Sequence, residues 1–214
     1  RGYIAMTLTA LVRTRFAVLA VAASAALSAA APATAAPSLQ LTKGATEVVL
    51  YASFVDALGS LGVTPGNVLP GSLIPTTTSA KVAFPIPTGE LDASGPKVEI
   101  LHSGGLTLTA GHTRVALTSF IIENLGGNLR LTGVVKANDT IVGRIPLFRV
   151  VLTQAPEVVP TSGGAAHLSI KGARLTLTDA AAKALNGVFG VTAFKQGFPI
   201  GVAKVNATVR DLDG

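Results

Sequence analysis

The chain has 214 residues with no cysteine and no tryptophan, which excludes disulfides, thiolate metal sites, a cysteine nucleophile and lipid attachment at an N-terminal cysteine. Its formal charge is +6, but three of the 17 basic residues, Arg1, Arg13 and Arg15, precede position 36, leaving 14 basic against 11 acidic residues, or +3, scattered from Lys43 to Arg210 without a run. Beyond position 35 Tyr51 is the sole tyrosine, so a basic stripe with stacking aromatics is missing and nucleic-acid binding finds no support.

The first 35 residues read as a secretion signal. Met6 is taken as the start of translation and residues 1–5 as upstream sequence; Arg13 and Arg15 precede an apolar run from Phe16 to Leu27, and small residues follow, ending in Ala33-Thr34-Ala35. This is the basic, apolar and small-residue order of a cleaved signal peptide, and the run is short for a membrane span. Cleavage near Ala35 implies a secreted or cell-surface protein. It leaves residues 36–214 as one domain, long enough to bury a core without disulfides. No second apolar span follows, so the mature chain is expected to have no transmembrane segment.

In chain order, VVLYASFVDALGSLGVT (48–64) runs from an apolar strand into a short helix with Phe54, Leu58 and Leu61 on one side. The Pro/Gly/Thr-rich stretch PGNVLPGSLIPTTT (65–78) reads as a long surface loop. From Lys81 onward the period is two, the mark of half-buried strands. Val98 and Ile100 alternate with Lys97 and Glu99, Leu106 and Leu108 with Thr107 and Thr109, and Leu129 and Leu131 with Asn128, Arg130 and Thr132. Turn-forming groups such as Pro87-Thr88-Gly89, Ser103-Gly104-Gly105 and Asn138-Asp139 separate these runs. A second strand-helix unit, LTLTDAAAKALNGVFGVT (175–192), offers Thr178 or Asp179 as a cap and Leu185, Val188 and Phe189 as an apolar side. It shares its plan and its closing Gly-Val-Thr with 48–64, as an internal duplication would. A last strand sets Val205, Ala207 and Val209 against Lys204, Asn206, Thr208 and Arg210. The whole predicts an all-β domain, mainly an antiparallel sandwich or barrel, with two short helices packed at the sheet edge or end.

Few residues look chemically pointed. His102, in VEILHSGGLTLT (98–109), projects to the apolar side with Val98 and Ile100. A histidine there either ligates a cofactor or, more commonly, packs with its ring nitrogens bonded to turn backbone. Ser103 lacks the Gly-x-Ser-x-Gly context of a nucleophile elbow, and the glycine pair after it suits a turn. His112 falls in the next turn and His167 on the polar side of HLSIK; no two histidines have the close spacing of a metal site, so none is expected. Glu90 with Asp92 and Asp211 with Asp213 read as solvated turn or terminal residues, too few for a calcium loop.

The stretch FPIPTGELDASGPKVEILHSGGLTLTAGHTRVALTSFIIEN (84–124) resembles the middle of the HtaA-type domain of secreted actinobacterial proteins: a Phe-Pro and Gly turn, an acidic residue, a strand leading to a glycine-bearing turn, and two further strands. The Leu-Thr-Leu-Thr and alanine-rich helix near Thr178 add to the likeness, while the tryptophan and aromatic-rich opening associated with the family are missing. The resemblance implies an exported β-rich domain and, for some members, haem binding in iron acquisition. Three functions are therefore weighed. The leading expectation is a non-enzymatic, secreted cell-envelope module for binding or surface structure, without a cofactor, its partner an envelope component or a small ligand. The second is a haem carrier with His102 or Tyr51 as iron ligand. The third is a secreted hydrolase using Ser103 or another hydroxyl with His102.

Overall fold

The computed structural model describes residues 38–92, 97–124 and 127–211; the expected signal segment and Asp213 lie outside them. The chain opens with β1 (Ser38–Leu50), α1 (Ala52–Ser60), β2 (Thr64–Val68) and β3 (Ser72–Pro75). Then come β4 (Ala80–Ile86), β5 (Thr88–Asp92), β6 (Val98–Leu101), β7 (Gly105–Ala110), β8 (Thr113–Glu123) and β9 (Arg130–Ala137). It closes with β10 (Thr140–Leu152), β11 (Glu157–Pro160), β12 (Ala165–Leu177), α2 (Asp179–Phe189) and β13 (Pro199–Asp211).

Period-two strands joined by short turns suit a sandwich and a barrel equally, and the pairing decides between them. Going round by hydrogen-bonded neighbours, β1 meets β13, then β12, β10, β9, β8, β6 and β5, and β5 returns to β1, all antiparallel. The result is a closed eight-stranded barrel, whose interior is wide enough to be filled by side chains or to hold one small ligand. The alternation read from sequence sets the faces: Val205, Ala207 and Val209 are buried while Lys204 and Arg210 are exposed, and Ile100 is buried behind half-exposed Glu99.

The wall of the barrel forks. β1 pairs with β5 through residues 38–41 and with β4 through 44–49, while β8 pairs with β6 near its end and with β7 nearer its start. β3 adds to the edge of β4 and β2 to the edge of β7. Residues 65–78, expected to be a loop, therefore contain most of β2 and all of β3. The prolines that suggested a loop are compatible with strands here because each strand has a ladder on one side, and a missing N–H is tolerated on the other. At the crotch of the fork two backbones nearly touch. Gly104 has φ +84°, and a Cβ on it would lie 2.2 Å from the Gly71 nitrogen, so the Ser103-Gly104-Gly105 turn needs glycine for both conformation and space.

Both helices follow strands that finish at the same end of the barrel, β1 and β12, and these two strands flank β13 on its opposite edges. Thr178 begins α2 as its sequence suggested: its hydroxyl accepts from the Ala181 N–H (3.1 Å) and donates to the Pro146 carbonyl (2.5 Å), tying the helix to β10. Gly190 ends it in the left-handed conformation, φ 65°. Phe54 and Leu58 of α1 and Ala181 and Ala182 of α2 are buried, so each amphipathic face turns inward over the barrel.

Candidate functional site

The barrel is not filled. Its inward positions include small side chains such as Ala173 and Ala203, and with Ala181 of α2 they help to enclose an apolar cavity of about 840 Å³, within the range of small-molecule sites. Phe54 and Leu58 from α1 and Leu185 and Val188 from α2 line it at one end. Asp92, Lys97, Asn124 and Asn128 line it at the other, where β5, β6, β8 and β9 carry their polar termini, while Arg149 lies within β10 opposite Thr176, two residues before the α2 cap. Between these ends the buried polar groups on the lining are Thr46 and His102.

His102 reaches the interior through a local irregularity. β6 stops at Leu101, and the register of β8 shifts between Thr118 and Ile121, with Ser119 at φ 52°. This bulge re-aims the strand, so that the Phe120 carbonyl accepts from the His102 backbone N–H (2.9 Å) and the Phe120 ring packs edge-on against Phe84 at 5.0 Å. The Ser103 N–H is taken by the Pro85 carbonyl (2.9 Å).

The imidazole is 5% exposed. Its Nε2 and Thr46 Oγ1 are hydrogen-bonded at 2.7 Å, the hydroxyl donating in the tautomer that carries its proton on Nδ1. Nδ1 is buried without a partner: the Phe120 and Ile100 carbonyls are near enough to the ring to favour its protonated form, yet neither is placed to accept from Nδ1. Desolvation outweighs them and lowers the pKa from 6.5 to about 4. His102 is accordingly a neutral, buried base on the wall of an apolar cavity.

The other residues singled out from sequence are not gathered here. Tyr51 is half-buried at the start of α1, its N–H donating to the Ile200 carbonyl (2.9 Å), and it does not line the cavity. His112 and His167 are exposed, and no group of three metal-binding side chains occurs among the described residues. His102 Nε2 faces Thr46, not Ser103, so the Ser103–His102 pair is not assembled and the hydroxyl that meets the imidazole is that of Thr46. The partner that sequence reasoning missed is Thr46; it lies 56 residues from His102 on another strand, and one threonine among many in alternating strands carries no local signal.

No protein-family model matches the sequence, and no curated protein does. Among solved structures, the C-terminal domain of HtaA from Corynebacterium glutamicum superposes with a TM-score of 0.58 at 17% identity, over 80% of this chain and 99% of that domain. The fold is the HtaA-type fold. Haem-binding protein HtaB from the same organism also shares it, with a TM-score of 0.50 at 13% identity over 82% of this chain and 97% of that protein. The likeness spans the HtaA-type barrel as a whole, well beyond the stretch at 84–124 that suggested it.

Proposed function

We propose that this HtaA-type barrel is a non-catalytic carrier that holds haem in its interior, and that it works outside the cytoplasm. The observation that carries the reading is the apolar cavity of about 840 Å³ with a neutral, buried imidazole on its wall. A purely structural module has no use for such space, because unfilled apolar volume costs about 2 kcal/mol per 100 Å³ and natural cores are otherwise packed to crystal density. The N-terminal basic, apolar and small-residue order supports export. No helix among the described residues is long and apolar enough to cross a membrane.

The residues present fit the group. Apolar walls suit a porphyrin, and a neutral imidazole has a lone pair for iron. His102 would hold the metal either through Nδ1, which has no other partner, or through Nε2 in exchange for the Thr46 hydroxyl. When bound, haem would supply a coloured iron centre whose absorption reports which side chain holds it. Thr46 fixes the orientation of the ring, and Phe84 and Phe120 pack beside it and exclude water. Absorption titration of the protein with haem is expected to give a saturable Soret shift in wild type and Tyr51→Phe, and a lost or altered band in His102→Ala. A flat wild-type titration, or loss confined to Tyr51→Phe, would overturn the reading.

A further inference from the structure

β10 runs on past the end of β12. Its residues 148–152 pair with β12, but β12 stops at Leu177, and residues 140–147 have a ladder to β9 alone. At the base of this overhang Thr178 donates to the Pro146 and Leu147 carbonyls, so what stays open is the tip of the β9–β10 hairpin. On the tip Ile141 and Val142 are 66% and 60% exposed, and neither lines the cavity. Neighbouring residues of a regular strand face opposite sides, and one of this pair would ordinarily turn inward. A bulge intervenes: the register with β9 shifts between Ile141 and Gly143, and Gly143 has φ 145°. Bulges re-aim side chains, and this one leaves two adjacent β-branched residues in solvent.

Cations flank the pair. Lys136 is directly opposite Ile141. Arg144 follows on the same strand, its Nη1 donating to the Ser119 carbonyl (2.9 Å) and the Thr132 hydroxyl (3.2 Å). Arg114 is tied to the hairpin turn by its backbone N–H, which donates to Asn138 Oδ1 (2.8 Å). The carboxylate of that turn, Asp139, lies 3.7 Å from Arg114 and offsets it, while Lys136 and Arg144 form no ion pair among the described residues. We infer that this tip docks on an anionic phospholipid bilayer, with Ile141 and Val142 entering the headgroup boundary and Lys136, Arg144 and Arg114 meeting the phosphates. Aliphatic side chains rimmed by basic ones suit that interface, whereas a soluble polyanion has no use for the apolar pair. A second copy of the chain fits less well. Tip-to-tip pairing would set like charges against one another, and the open edge is ill suited to another strand, being bulged at Val142 and lacking an N–H at Pro146.

The chain has no tryptophan, so one placed at the tip reports on the tip alone. Wild type, the double variant Ile141→Ser with Val142→Ser, Lys136→Gln and Val142→Trp are mixed with vesicles of phosphatidylcholine or of equal parts phosphatidylcholine and phosphatidylglycerol, and binding is read by flotation. Ser162→Trp, in the β11–β12 turn at the end away from the helices, is the control. Wild type is expected to bind the anionic vesicles, less so as salt is raised, and not the neutral ones. The serine pair should lose about tenfold or more in partitioning and Lys136→Gln about fivefold, both keeping the wild-type unfolding temperature because these side chains lie outside the core. On anionic vesicles the emission of Val142→Trp should move to the blue and that of Ser162→Trp should not; should the serine pair unfold, these two spectra decide alone. The inference is overturned by absence of binding to anionic vesicles, by equal binding to neutral ones, or by binding that the serine pair retains with Val142→Trp unshifted, which is adsorption by charge only. Dimerisation lost in the serine pair, without vesicle binding, overturns it in favour of a second copy. None of these outcomes bears on the haem titration, which reads the cavity.

Discussion

Acid should weaken this protein through His102, and the size of the effect follows from its burial. The folded-state pKa is about 4 against an ordinary 6.5, so between these values the unfolded chain binds a proton that the native ring refuses. Stability is fully present above pH 6.5 and is lost as pH falls towards 4. Integrating the linkage gives a loss of about 2 kcal/mol by pH 5 and about 3 kcal/mol by pH 4 from this one group. Carboxylates titrate in the lower part of that window as well, so the measurement is a difference. Urea unfolding of wild type and His102→Gln at pH 7.5, 6 and 5 is expected to show the wild-type advantage shrinking by about 2 kcal/mol across the series. A difference between the two proteins that stays flat over the series would refute the assignment of a neutral, desolvated imidazole.

Other substitutions probe the features that build the site. Thr46→Val removes the hydrogen-bond partner of Nε2 and is expected to cost about 1–3 kcal/mol in chemical denaturation, and to change the Soret position of the haem complex if the ring reorients. Gly104→Ala puts a Cβ 2.2 Å from the Gly71 nitrogen at a φ of +84°; a loss of about 2 kcal/mol or more is expected, and a neutral result would mean that the fork is not held as closely as described. Thr178→Ala removes both the cap of α2 and its tie to Pro146, for a loss of about 1–2 kcal/mol by thermal or urea unfolding.

The strands were legible because alternation has one meaning on a barrel wall: Val205, Ala207 and Val209 must face inward whichever architecture contains them. The helix cap was legible for a related reason, since Thr178 and Ala181 are three residues apart and the interaction is local. Closure was not legible. It depends on β5 meeting β1, a pairing between residues 38–41 and 89–92, and no local pattern records which distant edges meet. The fork was misread because edge strands tolerate the same prolines that mark loops. The cavity was invisible for a subtler reason: residues facing a void and residues facing one another are selected by the same apolar rule. His102 was placed on the correct face. Its bond to Thr46 in place of turn backbone could emerge once β1 and β6 had been brought to the same interior.

A ring has no first strand to peel away. Each of the eight strands of the closed circuit has neighbours on both sides, so fraying cannot start at an edge and travel inward, as it does in an open sheet. β2, β3 and β11 stand outside the circuit, each held by a single ladder, to β7, β4 and β12 respectively. Hydrogen exchange should therefore divide the molecule unevenly, with the amides of these three short strands exchanging through small local openings while those of the circuit wait for global unfolding. The slowest-exchanging amides would then trace the container, and the fastest of the paired ones would mark its seams.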